Sequence, residues 1–168
     1  GKPIAYGDIE GPSEIIATPV VHRGRVYVSV GQDPEQGDGA GVLHCLDAAT
    51  GAPVWTNDRF RRSLSTVAVA GGIVFAADYQ GFLHALEAET GASLWSHDTK
   101  AHIWGSPLVG DKKVWIGTED GALVVLAAAR EKKVLAEIAF EGALYSSPIA
   151  ANGVLYIATP MHLYAIGK

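Results

Sequence analysis

The stretch DAATGAPVW, Asp47 to Trp55, returns as EAETGASLW at Glu87 to Trp95, and the rest of the chain falls into register around the pair. An acidic residue opens each copy, Thr and Gly follow at fixed offsets, and Trp closes it. Asp47 or Glu87 can accept hydrogen bonds from loop N–H groups, the hydroxyl of Thr50 or Thr90 can do the same, and Gly51 or Gly91 supplies the positive φ that ends the turn. A Trp on the strand that follows is suited to packing one sheet against the next, its indole N–H free to find a carbonyl there. The eight residues Asp47, Thr50, Gly51, Trp55, Glu87, Thr90, Gly91 and Trp95 therefore read as a structural docking motif.

The segments upstream align as well. ATPVVHRGRVYVSV from Ala17, STVAVAGGIVFAAD from Ser65, GSPLVGDKKVWIGT from Gly105 and SSPIAANGVLYIAT from Ser146 each open on small hydroxyl residues, usually with Pro. Each then runs apolar, turns at a Gly or polar pair and runs again as aromatic and β-branched residues, the pattern of a tight hairpin. A third apolar segment follows at Val42–Leu46, Phe82–Leu86, Ala122–Leu126 and Leu163–Ile166, and the acidic turn leads into a fourth ending at Trp. Four strands per unit is a propeller blade. The expected fold is all-β, a β-propeller of four-stranded antiparallel blades with four blades in this chain.

The boundaries follow: residues 14–58, 62–98 and 102–139 for three blades, and 143–168 for a fourth of only three strands. The missing strand lies at the other end, where GKPIA (Gly1 to Ala5) matches GAPVW (Gly51 to Trp55), so residues 1–6 are expected to close the last blade and cover an open sheet edge. Two closures are open. Either this strand completes its own chain's ring of four blades, or it completes the blade of another half, giving eight. In the third copy the motif decays to AAAREKKVL, Ala127 to Leu135, with Leu135 where Trp belongs, and looser docking is expected there.

Composition narrows the function classes. Net charge is −5 and Lys or Arg occur in runs no longer than pairs such as Arg61-Arg62, which leaves no electrostatic footprint for nucleic acid. The sequence holds one cysteine, Cys45, set between apolar residues of a strand, which excludes an internal disulfide and suggests a buried, inert thiol. No apolar run approaches the roughly 20 residues of a membrane span. Gly1-Lys2-Pro3 resembles neither a signal peptide nor a natural start, so the chain reads as part of something longer.

In an up-and-down blade the loops after the second and fourth strands share one side of the ring, and that side gathers the chemistry-bearing residues. His102 and Trp104 immediately precede an innermost strand, at the channel mouth; with Arg59, Arg61 and Asp78 they are the ligand-binding candidates. Asp33, Glu35 and Asp38 have the carboxylate and Gly spacing of some calcium loops but no closing Glu, and a solvated loop is the preferred reading over a metal site. His44 and His84 recur at equivalent repeat positions, which argues for repeated packing. No nucleophile, base and orienter fall together, so catalytic residues are not assigned and the reading leans away from an enzyme.

The Asp-x-x-Thr-Gly-x-x-x-Trp motif with its upstream Ser/Thr-Pro strand resembles the pyrroloquinoline quinone (PQQ)-type propeller repeat, and the whole chain is similar to the C-terminal half of bacterial secreted PQQ-like β-propeller repeat proteins. The resemblance implies rings of seven or eight blades, which favours a second propeller half or a homodimer, and a periplasmic or extracellular home. It implies two functional readings. One is a non-catalytic scaffold for protein–protein or ligand binding at the cell envelope, like the lipoprotein scaffold of outer-membrane protein assembly. The other is part of a quinone- or metal-dependent oxidoreductase. Quinoprotein alcohol dehydrogenases hold the quinone under a vicinal Cys-Cys disulfide beside calcium, and a chain with one Cys supplies no such pair, so PQQ and calcium are disfavoured and no cofactor is expected.

Overall fold

The computed structural model describes residues 14–32 and 39–167. Gly1 to Tyr6, expected to close the last blade, and Asp33, Glu35 and Asp38, the candidate metal loop, lie outside the described residues. The described chain is built from strands alone, grouped into four antiparallel sheets, the blades of a β-propeller. Blade 1 holds β1 (Val20–His22), β2 (Arg25–Gly31), β3 (Gly41–Asp47) and β4 (Pro53–Asn57) in that order. Blade 2 holds β5 (Ala68–Ala70), β6 (Ile73–Ala77), β7 (Phe82–Glu87) and β8 (Ser93–Asp98). Blade 3 holds β9 (Leu108–Gly110), β10 (Lys113–Gly117), β11 (Ala122–Ala127) and β12 (Val134–Ala139). Blade 4 has three strands, β13 (Ile149–Ala151), β14 (Val154–Ala158) and β15 (Leu163–Ile166).

The first hairpin of every blade turns on two consecutive residues of positive φ: Arg23-Gly24, Gly71-Gly72, Asp111-Lys112 and Asn152-Gly153. This is the turn whose twist matches the flanking strands, so the same register recurs in all four. The acidic turn forms as its chemistry requires. Asp47 Oδ1 accepts from Ala49 N–H, Thr50 N–H and the Thr50 hydroxyl at 3.1, 3.0 and 2.9 Å, and Oδ2 takes Arg25 at 2.9 Å. Those donors, the Thr50 hydroxyl first, hold the Asp47 carboxyl below its ordinary range.

The core lies between sheets rather than inside one. Tyr27, Leu43, Cys45 and Trp55 of blade 1 face Val74, Ala76, Leu86 and Ala88 of blade 2. Phe75, Leu83, Ala85 and Trp95 of blade 2 meet Val114, Ile116, Val124 and Leu126 of blade 3 in the same way. Each indole donates across the gap, Trp55 Nε1 to Ala88 O and Trp95 Nε1 to Ala129 O, both at 2.9 Å. Trp55 lies so close over Gly91 that a Cβ there would come within 2.5 Å of its ring, which is why the turn must end on Gly.

Blade 3 corrects the sequence alignment. Cys45 pairs with Trp55 and Ala85 with Trp95, but the equivalent Val125 pairs with Ala136, so its turn is one residue longer and Ala136, not Leu135, takes the Trp position. Leu135 is 42% exposed on the outer strand. Blade 3 instead packs Trp115, Leu123 and Val125 against Leu144, Leu155 and Ile157 on the side of blade 4.

The hydroxyl residues at the head of each innermost strand have a role that pattern alone did not disclose. Thr18 N–H donates to Thr66 Oγ1, Thr66 N–H to Ser106 Oγ and Ser106 N–H to Ser147 Oγ, at 3.1, 2.9 and 2.8 Å. They form a hoop of side-chain acceptors running from blade to blade, each bond contributing about 1 kcal/mol.

Burial holds the imidazole of His44 below its ordinary pKa of 6.5, and burial followed by Lys132 does the same to His97. A depressed histidine contributes stability that is complete above 6.5 and is lost as pH falls toward the folded value, because the unfolded chain then takes up protons first. Asp47, Glu87 and Asp98, also depressed, add a second loss at lower pH, where they protonate. Urea midpoints should hold from pH 8 to about 6.5 and then decline in two steps. A midpoint constant down to pH 5 would contradict the neutral burial of His44.

Candidate functional site

The loops after the second and fourth strands meet on one side of the blades, and there the structure builds an aromatic stack. Tyr79, after β6, is tied to the entry of its own blade by its N–H on Arg62 O at 2.8 Å. The His102 ring lies parallel on Tyr79, 4.4 Å between centroids and 7° apart, and its Nδ1 is 2.9 Å from Tyr79 O. A carbonyl can only accept, so Nδ1 carries the proton and Nε2 is the acceptor in the neutral ring. Arg62 covers Tyr79 at 5.8 Å from the ring centroid, its Nε held by Glu14 at 2.9 Å.

Trp104 stands edge-on to both Tyr79 and Tyr145, with centroids 5.1 and 5.8 Å away, and its Nε1 donates to Glu119 Oε2 at 3.0 Å. A large ring with its polar atom satisfied from the side is fixed in orientation while its surface stays available. Trp104 and Tyr145 are 39% and 49% exposed. Beside them Gln80, Lys100, Ala101, His102, Glu119 and Asp120 line an open cleft of about 320 Å³. Lys100 is paired with Asp98, which leaves the acidic side chains of Glu119 and Asp120 to set the polarity of the far wall.

The expected site residues divide accordingly. His102 and Trp104 are brought together. Arg59 lines a different cleft at the rim with Asp58, Asn57 and Ser93, and Arg61 is an exposed residue whose backbone bridges to Ala40. Asp78 must be withdrawn as a ligand contact: it is 1% exposed, and its carboxylate accepts Phe82 N–H and faces His84 Nε2, both at 3.0 Å. His84 is thus a partnered structural histidine, as is His44, with Nδ1 3.1 Å from Thr56 Oγ1. Sequence reasoning singled out neither Tyr79 nor Tyr145. The signal for Tyr145 was present, since it occupies the same repeat position as Trp104, four residues before the innermost strand.

Among the described residues no group of three His, Cys, Asp or Glu could hold a metal ion. Cys45 is wholly buried in the sheet, its thiol held above its ordinary pKa by burial, and beside it Tyr27 is pushed up to about 12 for the same reason. A vicinal disulfide of the quinoprotein kind does not fit these residues, and no step is assigned through such a cofactor.

Blades of this build, recurring in this register, define a PQQ-like β-propeller repeat protein. The sequence profile described as "Outer membrane protein assembly factor BamB" matches residues 39–134, more than half of the chain, and the chain belongs to that family. No curated protein sequence matches. Among solved structures, BamB from Moraxella catarrhalis superposes with TM-score 0.77 at 21% identity, over 92% of this chain and 47% of that one. Quinohemoprotein alcohol dehydrogenase ADHIIG from Pseudomonas putida HK5 superposes with TM-score 0.70 at 22% identity, over 89% and 29%. The computationally designed Ika4 protein superposes with TM-score 0.73 at 18% identity, over 99% of both chains. The chain therefore spans just under half the length of the BamB structure it resembles. Among the described residues no helix is long and apolar enough to cross a membrane.

Proposed function

We propose that this chain is a non-catalytic propeller scaffold in the periplasm or at the cell surface, binding a protein partner through the loop face around Trp104, and that a second propeller half completes its ring. One observation carries the binding face: two exposed aromatic rings, Trp104, fixed by Tyr79 and Glu119, and Tyr145, packed edge-on against Trp104. Rigid aromatic residues on a preformed surface lose little entropy on binding and are the residues around which interfaces concentrate their affinity. His102 extends the face on the cleft side, and the exposed Arg59 and Arg61 are assigned as basic contacts at the rim. Membership of a family described by outer-membrane protein assembly supports a partner drawn from that assembly.

The test is site-specific photo-crosslinking in the intact envelope, with the reactive group at position 104 or 145 and a control at exposed Glu89, in the turn on the opposite side of the blades. A discrete adduct with a protein of outer-membrane assembly at the first two positions alone is the expected result. In binding measurements with that protein, Trp104→Ala should weaken affinity about 30-fold, the loss of a central aromatic anchor of about 2 kcal/mol, without moving the melting temperature. Equal labelling at all three positions would refute the face. The likeness to a quinohemoprotein alcohol dehydrogenase supports an oxidoreductase alternative, in which another half or domain brings the cofactor groups. Saturable uptake of PQQ with calcium by the full-length protein, read by absorbance, would favour that reading over the scaffold.

A further inference from the structure

Charge is sorted between the two sides of blade 3. Its basic residues Lys112, Lys113, Arg130, Lys132 and Lys133 stand at the turns joining β9 to β10 and β11 to β12, on the side away from the aromatic face. The loops on the face carry carboxylates instead, Glu119 and Asp120 after β10 and Glu141 after β12. These two loops touch, since Phe140 N–H donates to Gly121 O at 2.8 Å and a Cβ on Gly121 would come within 2.7 Å of Gly142 O. From residue 114 to 129 and from 134 to 167 the sequence has no Lys or Arg. The cations that reach the face from blade 2 are paired elsewhere, Lys100 with Asp98 and Arg62 with Glu14. Among the described residues no Lys or Arg pairs with Glu119, Asp120 or Glu141.

Those charges lie against flat rings that are already fixed. Trp104 Nε1 donates to one oxygen of Glu119, and a carboxylate can accept about four hydrogen bonds, so the remaining lone pairs are open to a donor from outside. Asp120 Oδ1 is held by the Thr118 hydroxyl, which steadies its carboxylate at the cleft wall. His102 is covered by Tyr79 on one face and is exposed, with Nε2 an acceptor because Nδ1 carries the proton. Glu119, Asp120 and His102 line the same cleft of about 320 Å³. It therefore offers negative charge, hydrogen-bond acceptors and a flat ring together. An anion is opposed by the first of these, and a neutral group leaves it unanswered. A guanidinium answers all three, bonding a carboxylate through two parallel N–H groups while its plane stacks on an aromatic ring.

We infer that the partner segment bound at this face is basic, with an Arg side chain seated in the cleft between Glu119 and Asp120 and its guanidinium against the exposed ring of His102. The inference deepens the protein-binding face proposed above and rests on it. An ion pair this open to water adds little affinity by itself. Its larger effect is on which partner is accepted and how fast it arrives, because a segment of the wrong sign is repelled before the aromatic rings can be covered.

Fluorescence anisotropy with a labelled short peptide of alternating Arg and Gly tests it, beside the same peptide carrying citrulline, the neutral isostere of Arg. The Arg peptide should bind about 10-fold or more tightly than the citrulline peptide, the order expected for losing a charge-assisted pair. Glu119→Gln and Asp120→Asn keep an acceptor for Trp104 and Thr118, so the melting temperature should hold. Each should weaken the Arg peptide about 5-fold and the two together more than 10-fold, while Glu89→Gln, on the opposite side of the blades, leaves binding unchanged. Equal affinity for the two peptides would overturn the inference, as would full binding by the doubly substituted chain or an equal loss in Glu89→Gln. No binding of the Arg peptide at millimolar concentration would do the same. The crosslinks at positions 104 and 145 read the face separately. Their yield should fall in the doubly substituted chain; adducts that persist there undiminished would keep the protein-binding face and remove the basic segment.

Discussion

Trp95→Ala should lower the free energy of unfolding by about 3–5 kcal/mol, the range for emptying an aromatic site in a packed interior. Trp95 is 7% exposed and shares one apolar cluster with Phe75, Val114 and Leu126, so its removal opens a gap bounded on both sides by sheets too rigid to collapse into it. The carbonyl of Ala129 also loses its 2.9 Å donor. For a chain of this size the melting temperature should fall by roughly 10 °C. Leu135→Ala is the control. Leu135 is 42% exposed and outside the register position of the indoles, so its truncation should cost no more than about 1 kcal/mol. An unchanged melting temperature for Trp95→Ala would show that sheet-to-sheet packing does not depend on the indole.

The second large effect joins the fold to the binding face. Gly81→Ala forces a side chain onto a backbone with φ of +105°, and its Cβ would stand 2.3 Å from Ala101 O, a backbone atom with no flexible end to move aside. Strain of about 1–3 kcal/mol from the torsion and a similar amount from overpacking should sum to several kcal/mol unless residues 99–102 shift. That shift would carry His102 off Tyr79, because Gly81 O accepts both the N–H and the hydroxyl of Thr99 and so anchors the loop that presents the imidazole. The expected outcome is a lower urea midpoint together with loss of the ring-current shift on His102. Loss of stability with the stack intact would show that Tyr79 and His102 are held by something other than this turn.

Most of the architecture is legible in the sequence because its determinants are local. The period of the blades follows from DAATGAPVW and EAETGASLW, and the hairpins from the two-residue turns between apolar runs. A hydrogen bond from Thr50 to Asp47 spans three residues and needs nothing from elsewhere in the chain. The candidate face was half legible. His102 and Trp104 were marked by their position ahead of an innermost strand, but Tyr79, 23 residues upstream of His102, joins them only because two blades place different loops on one side.

The repeat by itself determined that this chain forms four blades and that an indole bridges the first two gaps, since alternation along strands and turn chemistry are properties of neighbouring residues. Tertiary structure alone decided three matters: that Asp78 is enclosed with His84 rather than open to a ligand, that Ala136 replaces Leu135 in the register, and that Thr66, Ser106 and Ser147 link the blades in a hoop. The first two are settled within one blade by how its hairpins turn, and the third by how far one sheet is rotated against the next. That rotation is set by side chains some forty residues apart packing into the same gap, and it leaves no periodic trace along the chain.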